Sequence, residues 1–363
     1  MTNHAPVRVL LTGGCGFLGS HIVEHFIKCT DHRVEIVILD KLTYASNGYD
    51  RLRDISVHLP HGLPEHVRVL GCDLSQPVPT GVLHELGDID YIIHAAAESH
   101  VDNSIRDPLP FLMSNVVGTH HLLMLACCLT NGLGRPPLVK QSTRGPRRIF
   151  LVSTDEVYGP AGSDGDGRFD EDARFRPANP YAASKAGAEC VAMAYANTYR
   201  LPITIVNTMN LVGERQHPEK FVPKVIRSVM RGDTVTIHAN AARSRAGSRF
   251  YLHCRTFAHA LDWLIQKDAQ GSATSPGPLK LHVCGEREID NLELAQIIAG
   301  YVGKPLHYEL VDFHSSRPGH DLRYAMDDSL IQKMGWVRPM GLEQSLEKTV
   351  RWYLSNPRWL DVT

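Results

Sequence analysis

Residues 7–27 constrain the fold more than any other stretch. Val7-Arg-Val-Leu-Leu11 is a short β-rich run, Thr12-Gly-Gly-Cys-Gly-Phe-Leu-Gly19 is a glycine-rich turn, and Ser20-His-Ile-Val-Glu-His-Phe-Ile27 places its apolar residues at helical period. Gly14, Gly16 and Gly19 satisfy G-x-G-x-x-G, and Gly13, Gly16 and Gly19 satisfy the related G-x-x-G-x-x-G. Such glycines permit a tight turn, close approach of a pyrophosphate and contact between helix and strand, with the anion at a helix N-terminus. A lone match carries little weight, but here the required strand precedes it and the required helix follows. The turn residues Gly13, Gly16, Phe17, Leu18 and Gly19 are therefore the first expected dinucleotide contacts.

The following segments extend the same pattern. A second strand, Val34-Glu-Ile-Val-Ile-Leu39, ends in Asp40. A carboxylate there can accept hydrogen bonds from the adenosine ribose and repels a 2′-phosphate, so NAD is expected over NADP despite the neighbouring Lys41. The bland alternative is an Asp that starts a turn. Val67-Arg-Val-Leu-Gly-Cys-Asp73 reads as a third strand, its Asp73 suited equally to an adenine contact, a helix cap or a turn. Tyr91-Ile-Ile-His-Ala-Ala-Ala97 is a fourth, whose small residues let a cofactor lie against the backbone. Ser114-Asn-Val-Val-Gly-Thr119 opens a helix expected to run to about Leu129; Asn115 is either a buried structural amide or a group orienting the nicotinamide. With Leu201-Pro-Ile-Thr-Ile-Val206 as a further strand, alternation from 7 to 206 predicts a doubly wound parallel sheet. The expected domains are 1–206, the Rossmann part, and 207–363, a smaller lobe with some segments returning to the sheet. In that lobe Gln216-His-Pro-Glu-Lys-Phe221 is expected to begin a helix continuing to Met230, and Leu342–Leu354 to form an amphipathic one.

Composition narrows the function classes. With 38 Lys and Arg against 39 Asp and Glu, no global field favours nucleic acid or an anionic membrane. Eight scattered Cys lack metal-type spacing and read as reduced thiols. No signal-like N-terminus, no membrane-spanning apolar run and no His-Glu-x-x-His pair is evident, so a cytoplasmic protein without metal is expected. Residues 130–148, rich in Gly, Pro and basic side chains, read as a surface loop, and 159–168 as a loop suited to a lid.

Chemistry concentrates between Ser153 and Lys185. The apolar run Arg148-Ile-Phe-Leu-Val-Ser153 reads as a buried strand, so Thr154, Asp155 and Glu156 stand where it leaves the sheet. Tyr181 and Lys185 share a helix face, where an ammonium can lower a phenol's pKa. The competing reading makes Asp155 and Glu156 caps and Tyr181 a core residue.

The chain resembles the extended short-chain dehydrogenase/reductase family, and within it the dTDP-glucose or UDP-glucose 4,6-dehydratases. The resemblance runs from T-G-G-C-G-F-L-G (12–19) and L-D-K-L-T-Y-A-S-N (39–47) through A-A-E-S-H-V-D-N-S (96–104), S-T-D-E-V-Y-G (153–159) and N-P-Y-A-A-S-K (179–185). It continues in Q-H-P-E-K-F-V-P (216–223), R-P-G-H-D-L-R-Y-A (317–325) and T-V-R-W-Y-L-S-N-P (349–357), and so covers essentially the whole chain. It implies Thr154, Asp155, Glu156, Tyr181 and Lys185 as catalytic residues. It implies NAD contacts at Gly13, Gly16, Phe17, Leu18, Gly19, Asp40, Lys41, Thr43, Asp73, Leu74, Ala95, Ala97, Asn115, Tyr181 and Lys185. Around the nucleotide sugar it implies Ser99, His100, Thr154, Asn210, Lys220, Phe221, Arg249, Asn291, Arg317 and His320. Asp155 with Glu156 is the dehydratase signature, one acting as acid and the other as base. A homodimer is also implied, supported by apolar helices near 110–129 and 183–199. Three segments depart from the family pattern: Asn207-Thr-Met-Asn-Leu-Val-Gly-Glu214 replaces R-x-x-N-x-Y-G-P, a longer Arg-containing stretch precedes Arg249, and His253-Cys-Arg255 stands where an acidic pair is usual. The alternatives are another nucleotide-sugar reaction on this fold, 4-epimerisation or 5,6-dehydration, and a non-catalytic NAD-binding regulator.

Overall fold

The computed structural model describes residues 6–30, 34–132, 145–162, 167–271, 279–312 and 323–361. The strands are β1 Val7–Thr12, β2 Val34–Asp40, β3 Val67–Gly71, β4 Tyr91–His94, β5 Arg148–Thr154, β6 Ile203–Thr208, β7 Leu211–Val212, β8 Val235–Ala239, β9 Ser248–Phe250, β10 Leu252–His253, β11 Leu279–Val283, β12 Glu288–Asp290 and β13 Tyr308–Asp312. Seven of them form a parallel sheet in the order β11-β6-β5-β4-β1-β2-β3. The chain winds outward from β1 through β2 to β3, then crosses back to β4 and winds the other way. Such a reversal is where open α/β sheets bind ligands, beyond the carboxyl ends of the strands. The expected doubly wound fold is present.

Two compact units are interleaved along the chain rather than divided at one residue: 1–153, 183–207 and 258–281 make the first, and 154–182, 208–257 and 282–363 the second. In the first, strands covered on both faces must be apolar throughout, and β5 is buried over all seven residues. Leu10, Ile92, Ile149, Leu151, Ile203 and Ile205 pack with Leu122, Leu125 and Ala126 of the helix Gly118–Asn131 and with Ala192 and Ala196 of the helix Pro180–Tyr199. The charge at the start of β5 is paired: Arg148 Nε donates to Asp268 Oδ1 at 2.6 Å.

The second unit packs Val222, Val225, Ile226 and Val229 of the helix Phe221–Arg231 with Leu294 and Ile298 of the helix Asn291–Val302. Leu346, Val350 and Tyr353 of the helix Leu342–Ser355 complete that core. Asp290 caps Asn291–Val302, its side chain accepting from Leu292 N and Glu293 N. Short parallel pairs β8–β13 and β7–β10 and the antiparallel pair β9–β12 surround it.

Three expectations change. The helix expected from Ser114 begins earlier: helical turns run unbroken from Leu109 through a π-helical segment, Leu112–Val117, into Gly118–Asn131. Pro108 and Pro110 suit its first turn, where a missing N–H costs nothing. Within it, Leu109–Thr130 is long and apolar enough to span a bilayer, contrary to the sequence reading, yet just over half of its most apolar stretch is buried inside the protein, as in a core helix. The helix expected from Gln216 starts only at Phe221, because a turn closed by Lys220 N to His217 O at 3.0 Å intervenes.

The glycine-rich turn depends on the absence of side chains. Gly13 has φ +73°, and a Cβ there would lie 2.7 Å from Ala96 Cα. A Cβ on Gly19 would overlap the carbonyl oxygen of Gly13. Gly19→Ala is therefore expected to lower unfolding free energy by about 3 kcal/mol or more, whereas Gly81→Ala, which meets nothing within 4 Å inside the helix Thr80–Leu86, is expected to be neutral or slightly stabilising. Urea titration of both variants checks the difference.

Candidate active site

The dinucleotide features of the first unit are assembled by short contacts. The helix Phe17–Lys28 starts directly after Gly16, with its first N–H groups at the turn. Phe17 sets its ring edge-on to His21 at 5.4 Å, and Leu18 follows it half-buried. Asp40, at the end of β2, accepts from Cys15 N at 2.9 Å and Leu42 N at 2.8 Å. One carboxylate thus ties the glycine turn to the end of the second strand while keeping lone pairs that suit ribose hydroxyls. Lys41 lies 3.5 Å from Asp73, which also accepts from Ser75 N at 2.9 Å, so Asp73 forms the turn that sequence allowed. Thr43 precedes the short helical turn Tyr44–Ser46. The Leu74 carbonyl is held by His121 Nδ1 at 2.8 Å.

After β4 comes a half-buried Ala95 and an exposed Ala97, the small-residue ledge expected there. Asn115, 1% exposed, clamps the next residue: its Oδ1 accepts from Glu98 N at 2.9 Å, and its Nδ2 donates to Glu98 O at 3.0 Å and Ser184 Oγ at 2.8 Å. Of the two readings left open, the buried structural amide accounts for all of these bonds. Sequence reasoning missed His94. Fully buried, it sits between Thr12 Oγ1 at 2.7 Å and Thr119 Oγ1 at 3.0 Å, and burial with the charge of Lys185 depresses its pKa to about 3. A neutral imidazole thus links β1, β4 and the helix Gly118–Asn131. Its signal was a His interrupting a strand otherwise apolar. His100 caps the helix Val101–Arg106, its Nδ1 accepting from Asn103 N at 3.2 Å, and Ser99 beside it is exposed.

The residues of the Ser153–Lys185 stretch come together as their types require. Thr154 ends β5 and Asp155–Tyr158 turns away as a single 3₁₀ turn. Thr154 Oγ1 donates to Asp155 Oδ1 at 2.9 Å and accepts from Glu156 N at 3.3 Å. Asp155 is 4% exposed, and burial together with the charge of Glu156 pushes its pKa up to about 7; bonds from Thr154 and the charge of Arg249 oppose this. Glu156 is only half-buried and accepts from Asn179 Nδ2 at 3.0 Å. Asn179, also missed as a site residue, caps the helix Pro180–Tyr199 by accepting from Ala182 N at 2.8 Å. An Asn directly before Pro at a helix start was its signal.

Tyr181 stands in the first turn of that helix, but its electrostatics reverse the expectation. Burial, then the charges of Glu156 and Asp155, push the phenol pKa up, with a hydrogen bond from Thr154 opposing them. Lys185, one turn on, donates to Val152 O at 2.8 Å, and burial lowers its pKa to about 8 against the pull of Glu189. The Thr154 hydroxyl has one proton to give, and Asp155 and Tyr181 both draw on it. When Asp155 is protonated, one of the two negative charges restraining the phenol disappears and that hydroxyl proton can turn to the phenol oxygen.

The expected substrate residues of the second unit are placed as follows. Arg249, in β9, donates to Ser248 O at 2.7 Å and lies 4.6 Å over the ring of Tyr324. Asn291 accepts from Tyr251 Oη at 2.8 Å. The carbonyl of Asn210 accepts from Leu252 N at 3.1 Å, and Lys220 directly precedes Phe221 at the start of its helix. Arg317 and His320 lie outside the described residues, as do the central parts of the 130–148 and 159–168 loops. The departures from the family pattern meet one another: Glu214, 2% exposed, pairs with Arg255 and lies 3.3 Å from His253 Nε2.

The high pKa of Asp155 has a sign for stability. Its folded value, about 7, exceeds the ordinary value of 3.8, so between those limits the native state holds the extra proton and stability falls as pH rises. Asp155→Asn is expected to raise the melting temperature relative to the parent at pH 8, by an amount corresponding to at most roughly 4 kcal/mol, and to leave it unchanged at pH 4. Calorimetry at the two pH values checks this.

Comparison with known proteins places the whole chain. Residues 10–349 match the family model described as GDP-mannose 4,6 dehydratase. The trifunctional UDP-glucose 4,6-dehydratase/UDP-4-keto-6-deoxy-D-glucose 3,5-epimerase/UDP-4-keto-L-rhamnose-reductase of Arabidopsis thaliana is 33% identical over 99% of this chain and 49% of its own length. The chain thus spans about half of that relative. The dTDP-glucose 4,6-dehydratase of Salmonella typhimurium is also 33% identical, over 98% of this chain and 95% of its own. Among solved structures, the dTDP-glucose 4,6-dehydratase DesIV from Streptomyces venezuelae, determined with NAD bound, superposes with a TM-score of 0.79 at 32% identity, covering 98% of this chain and 100% of the other. With its seven-stranded parallel sheet and its match over nearly the full length, the chain belongs to the GDP-mannose 4,6 dehydratase family of extended short-chain dehydrogenases/reductases.

Proposed function

We propose that the protein is an NAD-dependent nucleoside-diphosphate-glucose 4,6-dehydratase, a hydro-lyase converting dTDP- or UDP-glucose to the 4-keto-6-deoxy sugar and water. One observation carries the reading: two adjacent carboxylates differ in environment, Asp155 buried and holding its proton to about pH 7, Glu156 half-buried and receiving an amide N–H. Neighbouring carboxyls driven apart in this way divide acid and base roles. The glycine turn and Asp40 fit NAD, which supplies a two-electron acceptor that takes hydrogen from C4 of the sugar and gives it back at C6. The activities for which these relatives are named support the same assignment.

In this reading Tyr181 takes the 4-hydroxyl proton, helped by the Thr154 hydroxyl and by Lys185. The 4-ketone acidifies C5–H, and Glu156 removes that proton. Asp155 donates its proton to the departing O6, so that water leaves and a C5–C6 double bond forms. Glu156 then returns its proton to C5. Burial and then the charges of Glu156 and Asp155 hold the phenol above its ordinary pKa, so a protonated Asp155 removes one of the charges that oppose Tyr181 as a base. Residues 1–206 are assigned mainly to the cofactor and the catalytic set, and 207–363 mainly to the nucleotide sugar. Arg249, with Arg317 and His320, is assigned to the phosphates, and Asn210, Lys220, Phe221, Asn291, Ser99 and His100 to the sugar and nucleoside. A cytoplasmic homodimer acting in deoxysugar biosynthesis completes the proposal, and a monomer at micromolar concentration in sedimentation would count against the dimer.

Incubation with dTDP-, UDP-, GDP- and CDP-hexoses, followed by mass spectrometry for water loss, is expected to give a keto product from a glucose nucleotide. An epimer, or no keto product from any of them, overturns the assignment. Glu156→Gln is expected to lower kcat by about 100-fold or more. Loss of the Asp155 proton is expected to make kcat fall above about pH 7, which a pH–rate profile reads directly.

A further inference from the structure

Asn179 makes two bonds through the two separate polar atoms of its amide. Its Oδ1 accepts from Ala182 N at 2.8 Å, capping the helix that carries Tyr181, and its Nδ2 donates to Glu156 Oε2 at 3.0 Å. The side chain is buried, and its partners fix its orientation. A backbone N–H only donates, so Oδ1 must face Ala182, which leaves Nδ2 facing the carboxylate. Ser, Thr or Asp caps a helix as well as Asn does. A hydroxyl can also accept and donate at once, but it is a single atom close to the backbone, whereas the amide carries acceptor and donor on separate atoms that reach both Ala182 N and Glu156.

We infer that Asn179 is the positioning residue of Glu156, holding it ionised and oriented for removal of the C5 proton, and that through the cap it fixes Glu156 relative to Tyr181. This rests on the dehydratase reading. A neutral donor on a carboxylate favours the ionised form, the form a base must have. Tyr181 is two residues beyond Asn179 in the first turn of the same helix, so the residues assigned to the first and second proton abstractions are referenced to one rigid turn. Asn179 touches neither reacting atom; it acts through Glu156.

Two variants keep the cap and remove the donor. Asn179→Ser leaves a short oxygen for Ala182 N and no group reaching Glu156; Asn179→Asp leaves the cap and turns a second acceptor toward Glu156. Both are expected to melt within a few degrees of the parent. Asn179→Ser is expected to lower kcat by about 10- to 100-fold with little change in KM, and to enlarge the isotope effect on kcat measured with substrate deuterated at C5. Asn179→Asp is expected to move the acidic limb of the kcat pH profile upward by about one unit or more, since two facing carboxylates cannot both ionise readily. Should both folded variants keep the parental kcat, isotope effect and pH profile, Asn179 is only a cap and the inference is overturned. If the unaltered protein forms no keto product from any glucose nucleotide, the dehydratase reading fails and takes this one with it.

Discussion

A carboxyl group cut off from water must find a partner or keep its proton, and Asp155 does some of each. It follows a strand buried over its whole length, so the polar residues that end β5 emerge into a place already poor in solvent. Its neighbour Glu156 is negative, which raises the cost of a second charge. Around this pair the other groups acquire their properties. Burial and the two facing carboxyls push the Tyr181 phenol pKa up, the Thr154 hydroxyl is shared between phenol and Asp155, and the Asn179 amide goes to the half-buried Glu156. No single member sets its own protonation state.

The parts of this arrangement that sequence revealed are those with strict local demands. The turn at 12–19 was legible because overlap at Gly13 and Gly19 allows no side chain, and the flanking strand and helix are contiguous with it. Asp40 was legible as an acidic residue ending β2. Its bonds to Cys15 N and Leu42 N were not, since they depend on how the turn folds back. The direction of the Tyr181 shift was read backwards: four-residue spacing suggests a lysine acting on a phenol, but spacing carries no information about desolvation or about Lys185 donating to the Val152 carbonyl. His94 escaped notice because one polar residue in an apolar strand looks like an exception, and its two threonine partners are 82 and 25 residues away. The early start at Leu109 was hidden by two prolines that suit a first helical turn as well as they suit a loop.

Within the second unit, the positions that depart from the family pattern are not independent. His253 accepts from Arg255 N at 3.1 Å through Nδ1, which directs its Nε2–H toward Glu214, and the Arg255 guanidinium reaches the same carboxylate. Where the family pattern has a proline and an acidic pair, this chain has Glu214, His253 and Arg255, which stand together. Glu214 is the buried charge of the pair, and a buried carboxylate stripped of its counter-charge costs far more than the intact pair is worth. Replacements at these positions are therefore coupled: the cost of changing Arg255 depends on whether Glu214 is present. Removing Glu214 leaves Arg255 partly exposed and able to reach water, whereas removing Arg255 leaves Glu214 buried without that counter-charge. The three positions act as one electrostatic unit anchored on the Glu214 carboxylate.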